Sequence, residues 1–261
     1  MKISGKAFHV DISGRYVLQL LLLKLMAIVL RLVDALRFLP VRLKRVASHV
    51  STGWRNARSA QGAEMPMWVM GREAAYWWLE MFLLLLDCLA VGEVYESILD
   101  FTKFNSRPLH PWEKKLARSI FGKSINYGRV RVDEYAFGGP RQFGFCYVSF
   151  YIINSWGKMN NSLLIHELVH VWQYQKVGIV YIPRALVAQR SAEGYDYGGA
   201  EGLEAARQAG RSLLEFNLEQ QADIVSDYYR IREGYPPRWG HAGVASLPLY
   251  EYFVQQLRQR G

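Results

Sequence analysis

The chain of 261 residues has only two cysteines, Cys88 inside an apolar run and Cys146 inside a stretch expected to be a strand. Two such residues supply neither a disulfide framework nor a paired-cysteine metal site, and both read as small buried hydrophobes. Zinc-finger spacing and RNA-binding signatures are also missing, so nucleic acid is set aside as a partner. There is no internal repeat, and no small-x-small cleavage site follows the first apolar run, which argues against a cleaved signal peptide. Acids are scarce beside bases, 23 against 32, and the net charge of +9 favours anionic surfaces. What is abundant is apolar: 51% of residues are hydrophobic and 14% aromatic, which excludes a disordered chain. The length suits one well-buried domain with an extension.

The N-terminal third lacks an uninterrupted apolar run. Residues 17–39 approach the length that spans a bilayer core of about 30 Å, yet Lys24, Arg31, Asp34 and Arg37 interrupt them. Lys24 and Arg31, seven apart, share one helix face. In residues 74–91 the acids Glu80 and Asp87, preceded by Glu73, recur every seven residues. Stripes of opposite sign predict an antiparallel pair joining Lys24 and Arg31 to Glu80 and Asp87, which lowers the cost of burying either set. Three arrangements follow: a membrane-spanning hairpin, two helices lying in the membrane interface, or a layer packed on the rest of the chain.

The first two arrangements put residues 17–39 and 74–91 against membrane lipid. Tyr76, Trp77 and Trp78 would form an interfacial belt, and Arg37, Arg42, Lys44, Arg45, Arg55 and Arg58 would flank the membrane. If the hairpin spans, its basic loop stays in the cytoplasm and the C-terminal part lies outside, in the periplasm of a Gram-negative cell. Residues 51–66 read as a linker between the two stretches. Residues 1–105 are thus an apolar helical region, and Pro108 and Pro111 mark the start of a second domain, 106–261.

In that second domain, Tyr127 to Tyr135 alternates like a half-buried strand, and Phe143 to Ile153 is dense in β-formers. Asn160 and Asn161 then offer helix caps, and Ser162 to Lys176 has helical spacing up to Gly178. This helix carries His166-Glu167-Leu168-Val169-His170. Histidines one turn apart reach one ion, while Glu167 is offset towards a water on that ion. A metal lowers the pKa of its water towards about 7, and the carboxylate can then take the proton. A helix over Ser212 to Glu233 supplies the third ligand, Glu219, with Glu215 in reserve; Asp223, one turn later, can orient a ligand histidine. An acidic stripe of Glu215, Glu219, Asp223 and Asp227 facing solvent is the bland alternative.

The pairing of His166-Glu167-x-x-His170 with Glu219-x-x-x-Asp223 resembles the gluzincin group of zinc metallopeptidases. The runs IHELVHVWQYQ and EQQAD resemble, more narrowly, bacterial metallopeptidase-like proteins found near type VI secretion and Rhs toxin loci. The resemblance covers roughly residues 125 to 235. It implies an α+β, zincin-like metallopeptidase domain with a small sheet, an HExxH helix and an ExxxD helix. It further implies Zn²⁺ held by His166, His170 and Glu219, Glu167 as general base, Asp223 as orienting group, and a polypeptide substrate.

The gap between His170 and Glu219 is longer than in thermolysin and holds the glycine-rich stretch Ser191 to Gly202. Peptide hydrolysis also needs a donor for the developing oxyanion; Tyr195, Tyr197, Tyr228, Tyr229 and His241 are candidates, Tyr197 first and His241 second. A peptide could pair with an open strand edge beside the metal. His9, His49 and His110 are assigned surface or capping duty. The competing functions are a membrane-inserting delivered toxin with an accessory metal domain, secreted rather than anchored, and a non-catalytic zinc-binding module.

Overall fold

The first helix does not stop where its apolar stretch does. In the computed structural model, which describes residues 14–59, 67–102 and 106–259, α1 (Gly14–Ser59) runs through Pro40 and through the segment expected to be a linker, as far as that segment is described. α2 (Met67–Cys88) is followed by a two-residue turn in which Ala90 takes a φ of 57°, and α3 (Val91–Thr102) leaves in a new direction. That turn corrects the expected pairing of stripes. Asp87, at the end of α2, faces Arg45 (2.9 Å) and Arg42 (3.7 Å), and Glu80 faces Arg184 (2.6 Å) and His49 (3.6 Å). The partners of Arg31 come from α3: Glu96 at 3.4 Å, and Asp100. Lys24 donates to the backbone carbonyl of Asp100. Glu93, Glu96 and Asp100, three to four residues apart, form the acidic face that the heptad reading overlooked.

Among the described residues no helix is long and apolar enough to cross a membrane. The spanning hairpin is therefore not found, and the periplasmic orientation deduced from it loses its premise. The helices form a layer against the remainder of the chain instead. Arg129 pairs with Glu96 (2.8 Å) and Asp34 (3.4 Å), Arg45 donates to the Gln175 carbonyl (2.8 Å), and Arg184 grips Glu80 with two nitrogens. The layer is inverted relative to a soluble bundle. Arg31, Arg42, Glu80, Asp87, Glu93 and Glu96 are buried, while Leu25, Leu30, Leu36, Trp78, Phe82 and Leu89 are exposed.

The rest of the chain is mixed α and β, with a four-stranded sheet in the order β1-β2-β4-β3. β1 (Ser106–Pro108) is antiparallel to β2 (Arg131–Asp133), β2 is parallel to β4 (Ile152–Asn154), and β4 is antiparallel to β3 (Tyr147–Ser149). The long strand expected over 143–153 is a tight hairpin preceded by one turn of helix, α5 (Pro140–Phe143). Phe150 makes the reversal with φ 58°, an unusual conformation for an aromatic residue. The helical layer braces it: the Tyr151 N–H donates to Glu96 Oε1 (3.1 Å), and the Phe150 ring packs on Tyr95 and Tyr174.

Behind the sheet stands α6 (Asn161–Val177), between the sheet and α9 (Leu218–Arg232), its most extensive neighbour. Leu164, Ile165, Leu168, Val169 and Val171 fill that position with almost no exposure. α4 (Pro111–Phe121), α7 (Tyr181–Arg190), α8 (Gly199–Gln208) and α10 (Leu247–Gln259) complete the enclosure. His110 stands at the N-cap of α4, His49 stacks on Trp77, and His9 lies outside the described residues.

Candidate metal centre

Two capped helices bring the site together. The Asn160 side chain accepts from the Leu163 N–H (2.9 Å) and fixes the start of α6, setting His166 and His170 one above the other on the side facing α9. α9 begins at 218, six residues later than its periodicity suggested. Asn217 accepts from the N–H groups of Glu219 and Gln220, and Gln220 bonds back to the Asn217 N–H. Glu219 thereby sits in the first turn, where the helix dipole favours a carboxylate. Glu215, the reserve ligand, is exposed in the 3₁₀ turn before α9 and caps it through the Ser212 N–H.

His166, His170 and Glu219 converge, all buried, as a group that can hold a metal ion. The two Nε2 atoms are 3.2 Å apart, and each is 3.4 Å from Glu219 Oε2. Three atoms each roughly 2.0–2.1 Å from one tetrahedral ion would stand about 3.3 Å apart, so the donor set fits. Every other polar atom of the trio is committed. His166 Nδ1 is bound by Asp223 Oδ1 (2.8 Å), His170 Nδ1 by Gln173 Oε1 (2.8 Å), and Glu219 Oε1 accepts from Gln189 (2.8 Å). Asp223 is held in turn by the Trp239 indole N–H (2.6 Å), and Gln173 donates to Gln221 (3.1 Å). Glu219 Oε2, turned to both imidazoles, and Glu167 Oε2 lack hydrogen-bond partners.

Charge explains the protonation tendencies. Burial opposes a charged His166, but Asp223 and Glu219 outweigh it and raise its pKa to about 10; His170 is raised against the same penalty, chiefly by Glu219. Burial would push Glu219 up, yet the two histidines hold it far below the usual carboxylate range. Glu167 is raised, because burial outweighs the pull of the histidines. A cation entering here displaces protons from the histidines, so its binding competes with acid.

The trio opens into a cleft of about 780 Å³ whose walls include Val148, Ile182, Leu186 and Tyr195, together with Arg230 and Arg238. Val148 belongs to the sheet-edge strand β3, and its carbonyl accepts from the Tyr181 hydroxyl (2.8 Å). Tyr195, its ring 6.1 Å from that of His166, is half-buried in the wall; burial and the nearby carboxylates push its hydroxyl up to about 12. Tyr197 is placed elsewhere. Its hydroxyl donates to Asp227 (2.7 Å) and meets that of Tyr250 (3.0 Å) in the core. His241 is exposed outside the cleft, Tyr229 bonds Asn161, and Tyr228 lies on the far side by Arg232. Asp227 is no solvated acid either: it ties down the N–H groups of Arg238 and Trp239, and so the loop that holds Asp223. Gln173, Gln189 and Trp239 went unread in the sequence. Only Gln173, three residues after His170 on the same helix, carried a local signal.

In an alignment of 136 positions that covers 47% of the chain, it is 32% identical to the type VI secretion system spike protein VgrG2b of Pseudomonas aeruginosa, but the match spans only 13% of that protein. No family profile matches the chain. No solved structure matches it.

Proposed function

We propose that this chain is a zinc-dependent endopeptidase of the gluzincin type, with a zincin-like catalytic domain. The observation that carries this reading is a buried three-ligand cluster whose outer nitrogens are already engaged, beside a carboxylate, Glu167, with an unpartnered oxygen in the same cleft. A purely structural site normally closes on four protein ligands and has no use for such a carboxylate. His166, His170 and Glu219 would hold the ion, and Asp223, Gln173 and Gln189 would fix the orientation of those ligands. Zinc, when bound, supplies Lewis acidity and brings the pKa of water near neutrality.

Glu167 accepts a proton from the water that attacks the peptide carbonyl carbon, then delivers it to the departing amine. Tyr195, protonated at neutral pH and exposed to the cleft, takes the role of oxyanion donor that the sequence reading gave first to Tyr197. An extended substrate would lie beside the edge strand β3, whose Val148 carbonyl is already bound by the Tyr181 hydroxyl, with an apolar side chain against Ile182 and Leu186.

The test compares wild type with Glu167→Gln on a denatured protein mixture, measuring metal in the same preparations. Hydrolysis should fall by about 10²- to 10⁴-fold with zinc retained. Equal cleavage at equal zinc content would remove the enzyme assignment.

A second reading concerns delivery, and the similarity to a secretion spike protein favours it: the chain acts as a secreted effector rather than a resident protease. Tagged chain should appear outside cells with a working type VI apparatus and stay inside cells without one; export independent of the apparatus would refute this.

A further inference from the structure

Among the described residues, buried charged side-chain atoms without a hydrogen-bond partner gather in two places. Glu167 and Glu219 mark the metal centre; Arg42 Nη1, Arg45 Nε, Arg129 Nε and Glu93 Oε2 mark the other. The second group lines a cavity of about 540 Å³ between α1, the end of α2, the segment 123–129 and the end of α6. Six cationic residues line it, Arg37, Arg42, Arg45, Lys123, Arg129 and Lys176, against two acids, Asp87 and Glu93. Arg42 and Arg45 are paired with these acids, and Arg129 with Glu96 beyond the wall. An excess of positive charge is left at the mouth, where Arg37 and Lys123 are exposed. Arg42 is only 5% exposed, and holding part of such a guanidinium unpaired is costly unless something else meets it.

The outside of the same helices is apolar. On α1, Leu25, Val29, Leu32, Val33 and Leu36 are at least half exposed, and Leu36 and Phe38 flank Arg37 at the cavity mouth. A layer with its charges turned inward and its leucines outward is ordered as protein is against lipid, and cations beside such a face match an anionic head-group region.

We propose that this cavity binds the phosphate of an anionic phospholipid while the apolar face of α1 and α2 rests among the acyl chains of a membrane interface. The shared chemistry is a phosphate group taken between Arg37, Arg42 and Lys123. The site is separate from the metal centre and does not depend on its activity.

Full-length protein should float with phosphatidylcholine vesicles containing phosphatidylglycerol at least tenfold better than with phosphatidylcholine alone. The double variant Arg37→Glu, Lys123→Glu, altered at two exposed side chains, should lose about tenfold or more of that binding, since each basic residue near an anionic surface is worth roughly fivefold. Circular dichroism and zinc content should be unchanged in it. Flotation of the double variant equal to wild type, or equal flotation on neutral vesicles, would overturn the proposal. So would a stable dimer that does not float and that Leu36→Glu dissociates, because the apolar face would then be covered by a second copy. Inorganic phosphate and glycerol phosphate form the soluble arm: a rise in wild-type melting temperature that the double variant lacks supports the phosphate site. If that rise comes without flotation, the cavity stands and a soluble phosphate compound replaces the lipid.

Discussion

Both halves of this chain bury charge, and they do so for different ends. In the helical layer nearly every buried acid meets an arginine from another helix, as Asp87 meets Arg42 and Arg45, and Glu96 meets Arg31 and Arg129. At the metal centre three acids, Glu167, Glu219 and Asp223, lie around two imidazoles, and two of them keep an oxygen without a partner. Charge answered by opposite charge fixes one helix against the next. Charged atoms left without a hydrogen-bond partner occur in both regions, as carboxylate oxygens of Glu167 and Glu219 beside the imidazoles and mainly as arginine nitrogens in the layer, so the two regions would answer ligands of opposite charge. Both kinds of burial are expensive, so removing one member should have unlike consequences in the two regions.

The largest effect is expected at the ligands. Glu219→Ala should abolish stoichiometric zinc binding at neutral pH, because one of three donors is gone, while secondary structure persists. Metal analysis of dialysed protein is the check, and full retention of zinc would break the assignment of Glu219. Asp223→Ala should be milder, lowering zinc affinity by about 10- to 100-fold by releasing His166 Nδ1; titration against a chelator of known affinity reads it.

Next in size is the layer. Asp87→Ala takes the shared carboxylate from buried Arg42 and half-buried Arg45, while Arg42 keeps Glu93, so the loss should stay below the about 3–5 kcal/mol of a fully stranded buried charge. Denaturant unfolding should register that loss with the affinity of folded protein for zinc unchanged. A variant as stable as wild type would mean that the layer is held by its lipid or protein surroundings rather than by its internal pairs.

How much of this was legible follows the range of each interaction. The histidine helix, its cap and its end at Gly178 are set by residues within one or two turns, and they read directly from spacing. The Glu219-x-x-x-Asp223 helix was found for the same reason, but its start was misplaced by six residues because Glu215 looked periodic while serving as a capping residue. Phe143 to Ile153 had the composition of one strand and folded as a hairpin. Its reversal at Phe150 depends on Glu96 and Tyr174, far away in the chain. Stripes of charge on the N-terminal helices were legible and their partners were not, since the turn at Ala90 decides which acids reach Arg31. Between Tyr195 and Tyr197 only the packing of Tyr197 against Asp227 and Tyr250 decides which one faces the cleft.

The smallest effect uses the two cysteines, one in each region, as reporters of that contrast. Both thiols are raised above their ordinary range. Cys146, on the cleft wall, is pushed up to about 12 by burial and then by Glu167; Cys88 is raised by burial and then by its neighbour Asp87, with Arg42 and Arg45 opposing. The thiolate is the nucleophile, so a pKa near 12 leaves on the order of one part in 10⁴ to 10⁵ reactive near neutral pH. In metal-free protein, alkylation of Cys146 by iodoacetamide at neutral pH should therefore be far slower than that of a free thiol, despite its place at an open cleft. Glu167→Gln removes a negative charge that raises Cys146 and leaves the surroundings of Cys88 untouched. It should quicken Cys146 by a few-fold and Cys88 not at all, as read by mass spectrometry of the two peptides. Acceleration at both positions would show that the substitution loosens the fold, and acceleration at neither would show that Glu167 is not charged beside Cys146 in the metal-free protein.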